Sequence, residues 1–168
     1  MTLQEVNRLA RAQFVAALGA VFEHSPWIAQ QAFAQRPFAN IEQLHSKMMQ
    51  AVLAAPLEAQ LTLIRAHPEL AGREATSGTL TADSTSEQAR LGFDALSRGE
   101  LEQVAALNRS YREKFGFPCI VALKLHASRD TVVAQFQRRL GNDREAEIGN
   151  ALAQIGHIAR ARLDNLLG

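Results

Sequence analysis

Apolar residues recur at helical spacing along nearly the whole chain, and that period leaves little room for anything but an all-helical fold. Residues 3–21 set Val6, Leu9, Ala10, Phe14, Ala17, Leu18 and Val21 on one face, the pattern of a single amphipathic helix. Ser25-Pro26-Trp27 reads as an N-cap followed by proline at the first helical position, and Pro37 closes that short segment. Asn40 caps a helix whose buried stripe is Ile41, Leu44, Met48 and Val52. Pro56 opens another through Leu61 and Ile64 to about Ala66, where His67-Pro68 stops it, because a residue before proline avoids helical geometry.

Residues 69–83 break the pattern. Gly72, Thr76, Ser77, Gly78, Thr79, Thr81 and Asp83 give this stretch a loop composition, and a loop of that length in a small domain is commonly functional. Helical period resumes over 86–96 and again over 100–115, until Gly116-Phe117-Pro118 interrupts it. Residues 119–123 are a short apolar run, readable as a buried strand-like segment or the start of a buried helix. Helices over 128–140 and 143–167 follow. The expectation is an all-α, single-domain bundle of about seven to nine helices covering residues 1–168, with no internal repeat and no interdomain linker.

Composition narrows the partners. A formal net charge of +1 offers no global basic field for nucleic acid or a membrane surface. No stretch is long and apolar enough to span a bilayer. The first eleven residues lack the apolar core and cleavage site of a signal peptide, and Asn165-Leu166-Leu167-Gly168 is not a peroxisomal address. The single cysteine, Cys119, excludes an internal disulfide. A cytoplasmic protein is the expectation.

Five histidines are present. His24, His45, His126 and His157 lie in helical or apolar surroundings and read as solvated or core-satisfied. His67 sits where a helix ends and a polar loop begins, a position from which a scaffold presents functional groups, although a helix C-terminus also favours histidine electrostatically. Ser84-Thr85-Ser86-Glu87 has the form of a capping box, and Glu87 is equally a carboxylate able to orient His67. Arg160 and Arg162, two apart on the last helix, point in different directions, so at most one faces a given pocket. His67-Pro68-Glu69 resembles half of a zinc deaminase motif, but Pro118-Cys119 lacks the second cysteine that motif requires, and no other histidine has zincin spacing, so no metal site is expected. Cys119, in an apolar run with no cation beside it, reads as a small buried hydrophobe.

Taken in order, several segments resemble the 2-oxo-4-hydroxy-4-carboxy-5-ureidoimidazoline (OHCU) decarboxylase family. They are His67-Pro68-Glu69-Leu70-Ala71-Gly72, Leu80-Thr81, Ser84-x-x-Glu87-Gln88, Asn108-x-x-Tyr111 and Lys114-Phe115-Gly116-Phe117-Pro118. Arg139-Leu140-x-Asn142, Glu147-Ile148 and Ile158-x-x-x-Arg162-Leu163 complete the set. The resemblance runs from about residue 60 to the C-terminus. It implies an all-α enzyme of urate degradation that needs no metal or organic cofactor. It also implies His67 as catalytic acid/base and Glu87 as its partner. Pro68, Ser84, Phe117 and Ile120 map to substrate-pocket positions, and an arginine of the last helix, Arg162 or its neighbour Arg160, to the anion-binding group. Cys119 departs from the larger apolar residue expected after Phe-Pro, which bears on pocket shape. The implied partner is a small-molecule ureidoimidazoline, and the resemblance admits a homodimer. Two other classes fit the same residues: a helical binding module in which His67 and Glu87 serve only as caps, and a ureide hydrolase using His67 as the base for water.

Overall fold

The structure, a computed structural model, describes residues 1–168 and contains only helices, turns and irregular segments. Ten α-helices follow in order: α1 (Leu3–Arg8), α2 (Arg11–Leu18), α3 (Trp27–Ala32), α4 (Ile41–Ala54), α5 (Leu57–Ala66), α6 (Arg73–Ser77), α7 (Ala82–Arg90), α8 (Arg98–Phe115), α9 (Arg129–Arg139) and α10 (Arg144–Leu167). Short 3-10 turns lie at Phe33–Gln35 and Leu123–Leu125. Seven of the ten helices run for eight residues or more, so the all-α expectation holds. The short α1, α3 and α6 account for the higher number. No helix is long and apolar enough to cross a membrane.

The chain forms two compact units, Met1–Ala66 with Gly156–Gly168, and His67–Ile155. In the first, Phe14 is fully buried and meets Phe33 edge-on at 5.5 Å. The single helix expected over 3–21 is broken. Leu9 is extended, with ψ 143°, and α2 starts afresh at Arg11. The break is tertiary in origin. Asn7 trades two hydrogen bonds with the backbone of Phe38, and the Arg36 guanidinium binds the carbonyls of Asn7 and Leu9 that a continuous helix would have used. Asn40 caps α4 as expected, accepting from the Gln43 N–H at 2.8 Å, and Leu44, Met48 and Val52 are buried. Ser25 is not the cap of α3: its hydroxyl donates to the Glu23 carbonyl and the helix begins at Trp27.

The second unit is built around Tyr111, Phe115, Phe117 and Phe136, all at most 2% exposed. Tyr111 lies 4.5 Å from Phe115 and 5.5 Å, edge-on, from Phe136. Gly116, at φ 80°, ends α8 in the left-handed conformation that glycine adopts without penalty, turning Phe117 back toward this cluster. The expected 69–83 loop is interrupted by α6. The helix expected over 86–96 begins earlier and ends at Arg90, followed by a turn through Gly92 at φ 76°. The 119–123 run is neither strand nor helix up to Ala122. Side chains satisfy its backbone instead: Arg139 donates to the Ile120 carbonyl, and the Ala122 N–H donates to Gln154 Oε1 at 2.8 Å.

Candidate active site

His67 follows directly on α5, where Pro68 forces the preceding residue out of helical geometry. It is 7% exposed, and Pro68 is half-buried. The residues beyond are gripped by side chains from two helices. On α7, Gln88 accepts from the Ala71 N–H at 2.9 Å and donates to the Glu69 carbonyl at 3.3 Å. On α8, Asn108 donates to the Leu70 carbonyl at 2.9 Å, and Arg112 pairs with the Glu69 carboxylate. Every residue from Glu69 to Ala71 is thus fixed by a side chain more than fifteen positions away.

Ser84, Glu87 and Gln88 share one side of α7, being three and four residues apart. Ser84 and Gln88 are buried and Glu87 is half-buried. Because Gln88 reaches Glu69 and Ala71, this face meets the segment that begins at His67. At the other end of α7, Arg90 donates to the carbonyls of Leu123 and His126, so the same helix also holds the stretch beyond Ile120. The Ser84–Glu87 capping box is corrected here. Thr81 caps α7, accepting from the Ser84 N–H at 3.3 Å, and Ser84 is the third residue of the helix.

Phe117 and Ile120 are 1% and 3% exposed. Phe117 meets the Tyr111 ring edge-on at 6.0 Å, so at least part of its surface serves the core. The Ile120 carbonyl accepts from Arg139, whose Nε sits 3.0 Å from both carboxylate oxygens of Glu147. Cys119, in the same segment, is buried. Burial pushes its thiol up to about 12, Arg139 opposes the shift, and Glu147 adds to it. It stays protonated near neutrality, consistent with the inert hydrophobe read from its surroundings.

The two candidate arginines of the first unit differ sharply. Arg160 lies at the surface, its side chain 37% exposed, in ion pairs with Glu42 and Asp164. Arg162 is 5% exposed and holds Glu23 Oε2 at 2.8 Å, with Glu23 itself 2% exposed. Among the other histidines, His45 bonds the Gly156 carbonyl at 2.8 Å, His126 contacts Thr131 and Gln135, and His24 and His157 are exposed. No three His, Cys, Asp or Glu side chains are grouped to hold a metal ion.

Sequence reasoning assigned no role to Gln88, Asn108, Arg139, Glu147 or Glu23. The first four stood in the family-like segments, which marked them without saying what they touch. Glu23 carried a signal of its own, a lone carboxylate between Val21-Phe22 and the buried Ile28-Ala29. Such a group needs a cation when buried.

The fold and site define an all-α protein with a buried histidine on a side-chain-gripped turn, beside a helix face carrying serine, glutamate and glutamine. The OHCU decarboxylase family profile matches residues 7–164. An OHCU decarboxylase of Haloferax volcanii is 42% identical over 163 residues, covering 97% of this chain and 94% of the relative. That of Mus musculus is 38% identical over 168 residues, covering 100% and 94%. The crystal structure of an (S)-allantoin synthase superposes with a TM-score of 0.76 at 28% identity, over 99% of this chain, which spans about half (54%) of that one. The chain belongs to the OHCU decarboxylase family.

Proposed function

We propose that this chain converts OHCU to (S)-allantoin and carbon dioxide in urate catabolism, with His67 as acid/base and Glu87 as its partner. The observation that carries the reading is the burial of His67 at the head of a turn held by α7 and α8, on a chain whose relatives carry this activity in their names.

The substrate carries a carboxylate and a hydroxyl on one ring carbon, beside a ring C=N bond. When the carbon–carbon bond to the carboxylate breaks, its electron pair forms a ring C=C, and the former C=N nitrogen takes up a proton. The hydroxyl then gives up its proton as it becomes a carbonyl, and the neighbouring carbon, which bears the ureido group, gains one. The substrate is its own electron sink, so the reading calls for no cofactor. The protein's tasks are to bind oxygens, orient the carboxylate and move protons.

An imidazole, with an ordinary pKa of about 6.5, can take the hydroxyl proton at neutral pH. Glu87 fixes its tautomer and stabilises the imidazolium. Pro68, Ser84, Phe117 and Ile120 line the pocket, and protonation from one face gives one enantiomer. Arg162 supplies a planar fork for the substrate's anionic oxygens. Burial sets it apart from Arg160, which lies at the surface. The reading takes residues 1–168 as one cytoplasmic functional domain, alone or as a homodimer, acting on a small molecule.

The test generates OHCU from urate with uricase and hydroxyisourate hydrolase and follows (S)-allantoin by circular dichroism. Expected are a protein-dependent signal that survives chelator and a kcat lower by about 100- to 10,000-fold in His67→Gln. Racemic product at the spontaneous rate overturns the activity. A His67→Gln protein of normal rate overturns the assignment of the base.

A further inference from the structure

The peptide between Leu70 and Ala71 is held on both edges by side-chain amides. Its carbonyl accepts from Asn108 Nδ2 at 2.9 Å, and its N–H donates to Gln88 Oε1 at 2.9 Å. Immediately after it, Ala71 sits at φ 45°, a left-handed conformation that a residue with a Cβ adopts only at a cost. A peptide plane turns by opposite changes in the ψ before it and the φ after it, so flipping this one would carry Ala71 toward ordinary negative φ. The strain and the two-sided grip are therefore one feature: Gln88 and Asn108 hold the plane in the orientation that Ala71 alone would leave.

Asn108 also bears a cost. It is 5% exposed, and its Oδ1 is buried with no hydrogen-bond partner. The amide gives the Leu70 carbonyl a donor but leaves its own acceptor unpaired, so its hydrogen bonding brings little net stability over an apolar residue of similar size. Backbone strain and an unsatisfied buried group at one turn are what a structure accumulates where position matters more than stability. The lever to the histidine is short. Only Pro68 and Glu69 separate His67 from Leu70; the Pro68 ring fixes its own φ and restricts His67, and Glu69 is tied at its carbonyl by Gln88 and at its carboxylate by Arg112.

We propose that Asn108 is a positioning residue for His67: by holding the Leu70 carbonyl it locks the strained Leu70–Ala71 peptide, and through Pro68 and Glu69 that lock sets where the imidazole stands. The inference rests on His67 being the acid/base, and its test includes a readout independent of turnover.

In Asn108→Leu, the plane flips and the imidazole is displaced. Expected are a kcat lower by about 10- to 100-fold, the penalty of roughly an ångström of misplacement, with KM little changed and the melting temperature within a few degrees of wild type. The His67 imidazole resonances shift in NMR spectra of the free protein. Adding Ala71→Gly to Asn108→Leu restores part of kcat and moves those resonances back, because glycine holds positive φ without penalty. A structural role in the core has no reason to be rescued by glycine at 71. Wild-type kcat in Asn108→Leu, a loss confined to KM, or a loss that glycine leaves untouched would each overturn the proposal. If the unmutated protein proves inactive on OHCU, the proposed function fails, while unmoved His67 resonances in Asn108→Leu would sink the positioning role separately.

Discussion

Arg160 and Arg162 differ by one turn direction on a single helix, and their surroundings separate them in energy. Arg162 and Glu23 are both almost fully buried, so each is the other's counter-charge in a medium that screens little. Glu23→Ala removes the carboxylate that Arg162 holds in this buried pair and is expected to cost about 3–5 kcal/mol, seen as a large fall in the urea midpoint. Arg160→Gln disturbs two surface pairs screened by solvent and is expected to leave the urea midpoint nearly unchanged. Cys119 gives a second prediction at this scale. Its thiol holds its proton up to about 12 in the fold, whereas the ordinary value is 9.0. Burial raises the Tyr111 hydroxyl above its usual value as well. Both acids therefore release protons more readily from the unfolded chain. Their contribution to stability is full below about pH 9 and is lost as pH rises toward 12. The native protein should not react with a thiol reagent at pH 8 and should release one equivalent on unfolding. Its urea midpoint should fall between pH 8 and 11, and a flat profile would contradict the burial of these groups.

At the scale of elements, α7 begins upstream of the Ser84-x-x-Glu87 motif, at Ala82. Ser84-x-x-Glu87 matches a capping box in letters, but Thr81 stands three residues earlier and captures the Ser84 N–H. Thr81→Ala is expected to cost about 1 kcal/mol of stability, while Ser84→Ala leaves the helix start capped and costs less. Equal losses would restore the motif reading. Ser97-x-x-Glu100 shows the form realised: Ser97 accepts from the Glu100 N–H, and Glu100 accepts from the Ser97 N–H at 2.8 Å. The two stretches are alike in sequence. What differs is a better-placed hydroxyl upstream. The break between α1 and α2 carries the same lesson, since the apolar period runs through Leu9 and Ala10 without interruption. Asn7 and Arg36 impose the bend by binding across about thirty residues, which no local pattern encodes.

At the scale of the molecule, Arg139 and Glu147 organise the second unit. Arg139 on α9 reaches Glu147 on α10, the Ile120 carbonyl and, at 3.4 Å, the Tyr111 hydroxyl on α8. Glu147→Ala leaves that guanidinium buried without its charge partner and is expected to cost about 3–5 kcal/mol, with the near-ultraviolet signal of the Tyr111 cluster collapsing in the same transition. A small change would mean that the pair is dispensable to the core. The all-α class, most helix positions, the stop at His67-Pro68 and the inert Cys119 were determined by sequence, because periodicity, proline and burial tendency act through neighbours along the chain. His67 was picked out as a candidate by its position, and it took family resemblance to attach a reaction to it. Only the tertiary structure decided that Gln88 and Asn108 grip the turn after His67, that Arg162 rather than Arg160 is buried, and that Arg139 satisfies the irregular 120 segment. Each of these is a side chain meeting backbone or charge at least seventeen residues away. Which distant groups meet is settled by the packing of whole helices and leaves no local trace in the sequence.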